Sequence, residues 1–250
     1  MDLLNKLRLS AGNGPNRSVA PMAAAGGRSR PAPGNPGPVA GTARTCESQE
    51  LTRVSNGLKE LLWNLEGLGR GTLLDLGAAW QTTLGFFIER GFRVSSEDIL
   101  RSWKDFLAKE EASLRESAGS GDNVDRTPAG RAARFMESNL EYSPASFDAV
   151  LLWDLLDYLE PSMAKLTVAR VTELLRQGGV VFALFHSKKP EGFQRYRIAD
   201  SNSLQVVTAP VLCPAQRIYQ NREIQDLFGR YRTMKSFVGR DQLRETLFIK

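Results

Sequence analysis

The segment that most constrains this chain is Thr72-Leu73-Leu74-Asp75-Leu76, a short apolar run that closes in an acid and a leucine and meets Gly77 at once. Such a run suits a strand buried on both faces of a parallel sheet. From Trp80 to Arg90 the apolar residues Leu84, Phe86, Phe87 and Ile88 recur roughly as a helix places them, and Gly91 stands where a C-terminal cap is expected. A second strand is expected from Phe92 to Glu97. It ends at Glu97-Asp98, about 20 residues beyond the turn, where a carboxylate reaches ribose hydroxyls. The spacing of strand, turn, helix and strand suits a βαβ nucleotide site.

Downstream, Leu100, Trp103, Phe106 and Leu107 are spaced for one apolar face of a helix from Ile99 to about Ser117. That stripe reads as core. Ala118 to Gly130 is polar and glycine-containing, hence a loop, and a third strand is expected at Arg134–Met136.

The turn Asp75-Leu76-Gly77-Ala78-Ala79-Trp80-Gln81 resembles the first motif of the class I S-adenosylmethionine-dependent methyltransferases, Asp-x-Gly-x-Gly-x-Gly, with an acid closing the next strand. Asp75 and Gly77 match. Ala79 and Gln81 stand at the second and third glycines, where a missing side chain lets the backbone approach the ligand. Phe147 to Leu159 resembles the fourth-strand segment, and Glu173 to Phe182, with Gln177-Gly178-Gly179, resembles the helix end and fifth strand. Trp153-Asp154-Leu155-Leu156-Asp157-Tyr158-Leu159 is similar to a methyltransferase-like group that carries Trp-Asp-Leu-Leu-x-Tyr-Leu and a poor glycine motif.

The resemblance implies an α/β fold: a Rossmann-like seven-stranded, mostly parallel sheet with helices on both faces, a last helix over Ile218–Phe228 and a C-terminal antiparallel hairpin of Arg232–Val238 and Leu243–Ile249 about Gly239-Arg240-Asp241. It also implies S-adenosyl-L-methionine as cofactor and an unidentified methyl acceptor, small molecule or protein. Gly77 and Ala79 would border the methionine part, Asp98 with Glu97 would hold the ribose, and Asn139 with Leu140 would flank the adenine. Asp75 would orient the turn. Trp153 and Asp154 would face the methyl group or acceptor, although Trp153 reads equally well as core. No general base is assigned, since alignment alone carries many methyl transfers. The alternative is a catalytically inactive binding or scaffold protein on the same fold, a reading that Gln81 favours. A Rossmann-type oxidoreductase fits less well, because the glycine pattern fails there too.

Charge is unevenly placed. The chain is +5 overall, and residues 1–46 carry six basic residues (Lys6, Arg8, Arg17, Arg28, Arg30, Arg44) against Asp2, so residues 47–250 sum to zero. The same stretch holds 7 of the 22 glycines and 6 of the 12 prolines, too little apolar surface to offset its ordering entropy. Residues 1–46 are therefore expected to be a disordered basic tail, with residues 47–250 as the folded domain. The tail reads as a solvated extension, as a docking segment through Leu3, Leu4, Leu7 and Leu9, or as a targeting peptide. No 18-residue apolar run exists, so no membrane span is expected.

Cys46 and Cys213 lie far apart and make neither a metal pair nor a disulfide framework, which fits a reducing, cytoplasmic setting. A zinc site or a Ser-His-Asp triad would have to use the sole histidine, His186. That residue reads as a loop histidine or as a base facing substrate. Lys188 to Ala215 reads as a cover over the carboxyl ends of the strands. Its Lys188, Lys189, Arg195 and Arg197 suggest nucleic acid only weakly, without an aromatic platform.

Overall fold

The computed structural model describes residues 50–116 and 125–250. The expected tail of residues 1–46 and the first part of the loop from Ala118 lie outside the described residues. In chain order the elements are β1 (Glu50–Val54), α1 (Asn56–Leu65), β2 (Thr72–Asp75), α2 (Gln81–Ile88), β3 (Arg93–Ser96) and α3 (Ile99–Glu116). There follow α4 (Pro128–Glu137), β4 (Phe147–Trp153), the single turn α5 (Leu155–Tyr158), α6 (Pro161–Leu174) and β5 (Leu175–His186). The chain closes with β6 (Gln194–Asp200), β7 (Ser203–Thr208), α7 (Asn221–Leu227), β8 (Thr233–Val238) and β9 (Leu243–Ile249).

The main sheet runs β3-β2-β4-β5-β9-β8. Its first four strands are mutually parallel, and β9 is antiparallel to both β5 and β8. A separate antiparallel sheet, β1-β7-β6, is built from the cover segment and the strand that precedes α1. The expectation of a single seven-stranded sheet is thus corrected to a six-stranded mixed sheet plus a three-stranded one.

The strand expected at Arg134–Met136 is the missing member, because those residues belong to α4. Thr127 caps that helix by accepting from the Gly130 N–H at 3.0 Å, and Pro128 occupies its first turn. Helical spacing puts Ala132 and Phe135 on the buried face, where the Phe135 ring meets Trp103 edge-on at 5.1 Å.

Strand burial accounts for the parallel core. Along β4, Ala149, Leu151 and Trp153 point into one hydrophobic cluster and Val150 and Leu152 into the other. In β5, Val180, Phe182 and Leu184 alternate in the same way with Val181, Ala183 and Phe185. One cluster is closed by Leu58, Leu61 and Leu65 of α1, Phe87 of α2 and Tyr196 and Ile198 of β6. The other is closed by Trp103 of α3, Phe135 of α4, Val168 and Val171 of α6 and Phe228 after α7. Gly91, with φ +84°, donates to the Ile88 carbonyl and reverses the chain from α2 into β3, as its position after the apolar stripe predicts.

Asp148, from the Phe-Asp pair, sits at the amino end of β4. It accepts from Thr72 N–H at 2.7 Å and pairs with Arg176 at 2.6 Å, clamping the start of β2 to β4 and β5. Among the described residues no helix is long and apolar enough to cross a membrane, and no group of His, Cys, Asp and Glu could hold a metal ion.

Candidate functional site

The chain passes from β2 to β3 on one side and returns to β4 on the other, so the strand order reverses between β2 and β4. Open α/β sheets bind ligands in the crevice beyond the carboxyl ends at such a point. A cleft lies there, lined by Gly77, Trp80, Asp98, Asp154, Phe193 and Tyr196 among others.

Asp75 closes β2 fully buried. Its Oδ1 accepts from the Gly77 N–H at 3.0 Å and from Trp153 Nε1 at 2.7 Å, while Oδ2 has no partner. Burial pushes this carboxyl up to about 6, although both hydrogen bonds favour the charged form. Trp153 ends β4 where the β4–β5 register slips, and its φ is +50°, a strained conformation for a bulky residue. That backbone lays the indole over the turn, nearly parallel to the Tyr196 ring at 6.3 Å. A Cβ on Gly77 would fall 2.5 Å from Trp153 Cδ1. Gly77 is therefore required by an indole of the same chain. Gly77→Ala is expected to lose about 1–3 kcal/mol through overpacking, read as a lower urea midpoint at unchanged m.

The cleft is roofed by β6, fastened at four successive residues. Arg195 pairs with Asp98 at 2.9 Å, and Tyr196 lies against Trp153. The Arg197 guanidinium lies 5.2 Å from the Trp80 ring centroid, and the Ile198 N–H donates to Thr83 Oγ1 at 3.0 Å. Beneath this roof, α2 begins at Trp80 without a side-chain cap, and the buried Trp80 Nε1 has no hydrogen-bond partner. The wall thus holds Trp80, whose indole donor is orphaned, and the Asp98 carboxylate, whose Oδ1 also accepts from the Arg101 N–H at 3.1 Å.

Behind the cleft, His186 ends β5 and is 8% exposed. Its Nε2 lies 3.1 Å from Asp154 Oδ2, and its backbone N–H donates to Asp157 Oδ2 at 2.7 Å. Burial of the ring opposes its charge, but the Asp154 hydrogen bond and the charges of Asp154 and Asp157 outweigh it, so its pKa is raised. Burial pushes Asp157 up to about 8, and its Oδ1 is unpartnered.

Of the residues singled out in the sequence, Gly77, Asp98, Trp153 and Asp154 line the cleft, and Asp75 lies directly under the turn. Ala79 is exposed and is not in the wall; the backbone N–H of Glu97 donates to the Asp75 carbonyl at 2.8 Å. Asn139 and Leu140 do not line the cleft. Asn139 Nδ2 caps α4 through the Phe135 carbonyl at 2.8 Å, and Leu140 is buried in the core with φ +58°. The sequence reading does not single out Asp157 or the pairing of His186. An acid set in the apolar run Leu152–Leu159 is the available signal for the first.

No family model and no curated protein matches this chain. Solved structures overlap it loosely. The 1,6-didemethyltoxoflavin-N1-methyltransferase of Burkholderia thailandensis is 18% identical over 78% of each chain, with a TM-score of 0.39. A SAM-dependent methyltransferase of Methanosarcina mazei is 13% identical over 73% of this chain and 93% of its own, at 0.39. One from Mesorhizobium loti is 14% identical over 76% and 96%, at 0.40.

Proposed function

We propose that this chain is an S-adenosylmethionine-dependent methyltransferase acting on an unidentified acceptor, with its cofactor in the β2/β4 cleft. The observation that carries the reading is the position of that cleft at the strand-order reversal, with the Gly77 turn on one wall and Asp98 on the other. The reversed β9, inserted between β5 and β8, supports it as the C-terminal hairpin that the sequence resemblance implies.

The residues present fit the group at its nucleoside end. Asp98 would accept from the ribose hydroxyls, Leu100 offers an apolar wall beside it, and Trp80 Nε1 supplies a donor with no other partner. The bound sulfonium supplies the methyl group. Asp154, held by His186 and facing the cleft, orients an acceptor, and the β6 roof keeps water out.

A second reading, a binding module without catalysis, is favoured by the Trp153 indole packed on Gly77. Titration calorimetry of the full chain with S-adenosylmethionine separates the two. Binding is expected, with Asp98→Ala weakening it at least about tenfold, the scale of hydrogen bonds to a charged group. Absence of heat at millimolar cofactor would sink the enzyme reading; unchanged affinity in Asp98→Ala would displace the ribose from that carboxylate.

A further inference from the structure

The carboxylate best placed for a ribose is already occupied by the chain itself. Arg195 Nη1 lies 2.9 Å from Asp98 Oδ2, and both side chains are largely screened from solvent, at 17% and 21% exposure. The Arg195 guanidinium also lies 5.3 Å from the Phe193 ring centroid, so its charge rests between a carboxylate and an aromatic face. Asp98 Oδ1 accepts from the Arg101 N–H at 3.1 Å, so both carboxylate oxygens are already engaged, and a ribose hydroxyl that reaches Oδ2 competes there with the guanidinium.

We propose that Arg195 is an internal latch on the nucleoside subsite: it competes with the ligand's vicinal hydroxyls for Asp98 and must swing aside before the ligand seats. This rests on the methyltransferase reading of the cleft. Only the Arg195 side chain has to move. The strand that carries it is pinned independently at Tyr196, Arg197 and Ile198, and by its ladder to β7. The roof therefore stays in place while the latch opens. A long, unbranched cationic side chain with one carboxylate partner suits this exchange, because its ion pair is replaced by hydroxyl hydrogen bonds to the same oxygen.

The competition has a sign opposite to that of a ligand-binding arginine. Removing Arg195 frees Asp98 Oδ2, with Oδ1 still on the Arg101 N–H, and tightens binding, whereas removing a direct contact loosens it. S-adenosylhomocysteine is the probe, since it keeps the ribose and adenine and lacks the sulfonium charge that would respond to any deleted cation.

The test is calorimetry of full-length wild type, Arg195→Met, Asp98→Ala and the double variant with S-adenosylhomocysteine. Methionine keeps an apolar stem against Phe193, and Arg195→Gln serves as the second variant should Arg195→Met fail to fold. Arg195→Met is expected to bind about tenfold or more tightly than wild type, the scale of one charge-assisted hydrogen bond. In the Asp98→Ala background the same change is expected to give no gain. Wild-type binding that is unchanged or weakened in Arg195→Met overturns the latch and leaves the methyltransferase reading standing. A gain that persists without Asp98 also overturns it. No binding by any of the proteins overturns the cofactor reading, and the latch with it.

Discussion

Replacing Glu245 with leucine is expected to remove about 3–5 kcal/mol of stability, the cost of breaking a buried ion pair from one side. Glu245 lies in β9 and is 2% exposed. Its Oε2 accepts from Ser55 Oγ at 2.8 Å and from the Gly57 N–H, and its Oε1 pairs with Arg53 at 2.9 Å. The same Ser55 hydroxyl accepts from the Leu58 N–H at 2.9 Å as the N-cap of α1. A carboxylate from the far end of the chain therefore completes the cap of α1 and complements its dipole. With leucine there, the Gly57 N–H loses its acceptor and Arg53, itself 9% exposed at the side chain, keeps only Asp241. Glu245→Gln retains an acceptor oxygen and is expected to lose less. Arg53→Met in the Glu245→Leu background should recover part of the loss, because it removes the stranded charge. Urea unfolding of the wild type and the three variants measures each of these differences; a wild-type midpoint in Glu245→Leu would contradict the account.

This arrangement marks where the sequence is legible and where it is not. The elements read from their own residues appear where expected: β2 as a short apolar run, α2 and β3 about the Gly77 turn, and the α3 stripe. The segments read from the resemblance, β4 and the β8–β9 hairpin, are also strands. The Arg134–Met136 segment misleads because three residues cannot establish a period, and the Thr127-Pro128 start signal outranks them. The second sheet is hidden for another reason: β1 pairs with β7 across some 150 residues, Leu51 opposite Val206, and no local pattern announces such a partner.

The candidate site divides along the same line. Gly77 and Asp98 are legible because the βαβ unit fixes them through short-range geometry. What they touch is not. The sequence resemblance assigns Gly77 to a ligand, and the fold gives its missing Cβ to Trp153; it assigns Asp98 to a ribose, and the fold sets Arg195 on it. Arg195 reads as one basic residue among four in the cover, because its meaning comes from a tertiary contact with an acid on another element. Glu245 is readable in principle. It interrupts the alternation of Leu243, Leu247 and Ile249, and a polar residue on a core-facing register needs a buried partner.

Stability is expected to fall as the pH rises from about 4 to about 8, the reverse of the trend that salt-bridged carboxylates produce. Burial pushes Asp157 up to about 8 and Asp75 up to about 6, whereas in the unfolded chain both titrate near 4. Between those limits the folded protein holds protons that the unfolded chain has released, so each pH unit costs about 1.4 kcal/mol per proton held. His186 acts in the same direction: with its folded pKa raised, the stability it contributes is lost as the pH climbs through that value. Asp148 runs the other way. Burial raises it, but Arg176 and Thr72 overcome that and hold it low, so its contribution is lost only under acid conditions. Maximum stability should therefore lie near pH 4, and the melting temperature should drop by roughly 10 °C or more towards pH 8, at about 2–4 °C per kcal/mol. Asp157→Asn removes the stronger of the two carboxyl effects, because the amide keeps an oxygen for the His186 N–H and carries no proton to lose. Its melting temperature should vary less between pH 6 and pH 8 and exceed that of wild type at pH 8. A variant that follows the wild-type curve would mean that Asp157 is ionised in the folded protein, which would set two negative charges, Asp154 and Asp157, against the His186 ring behind the cleft.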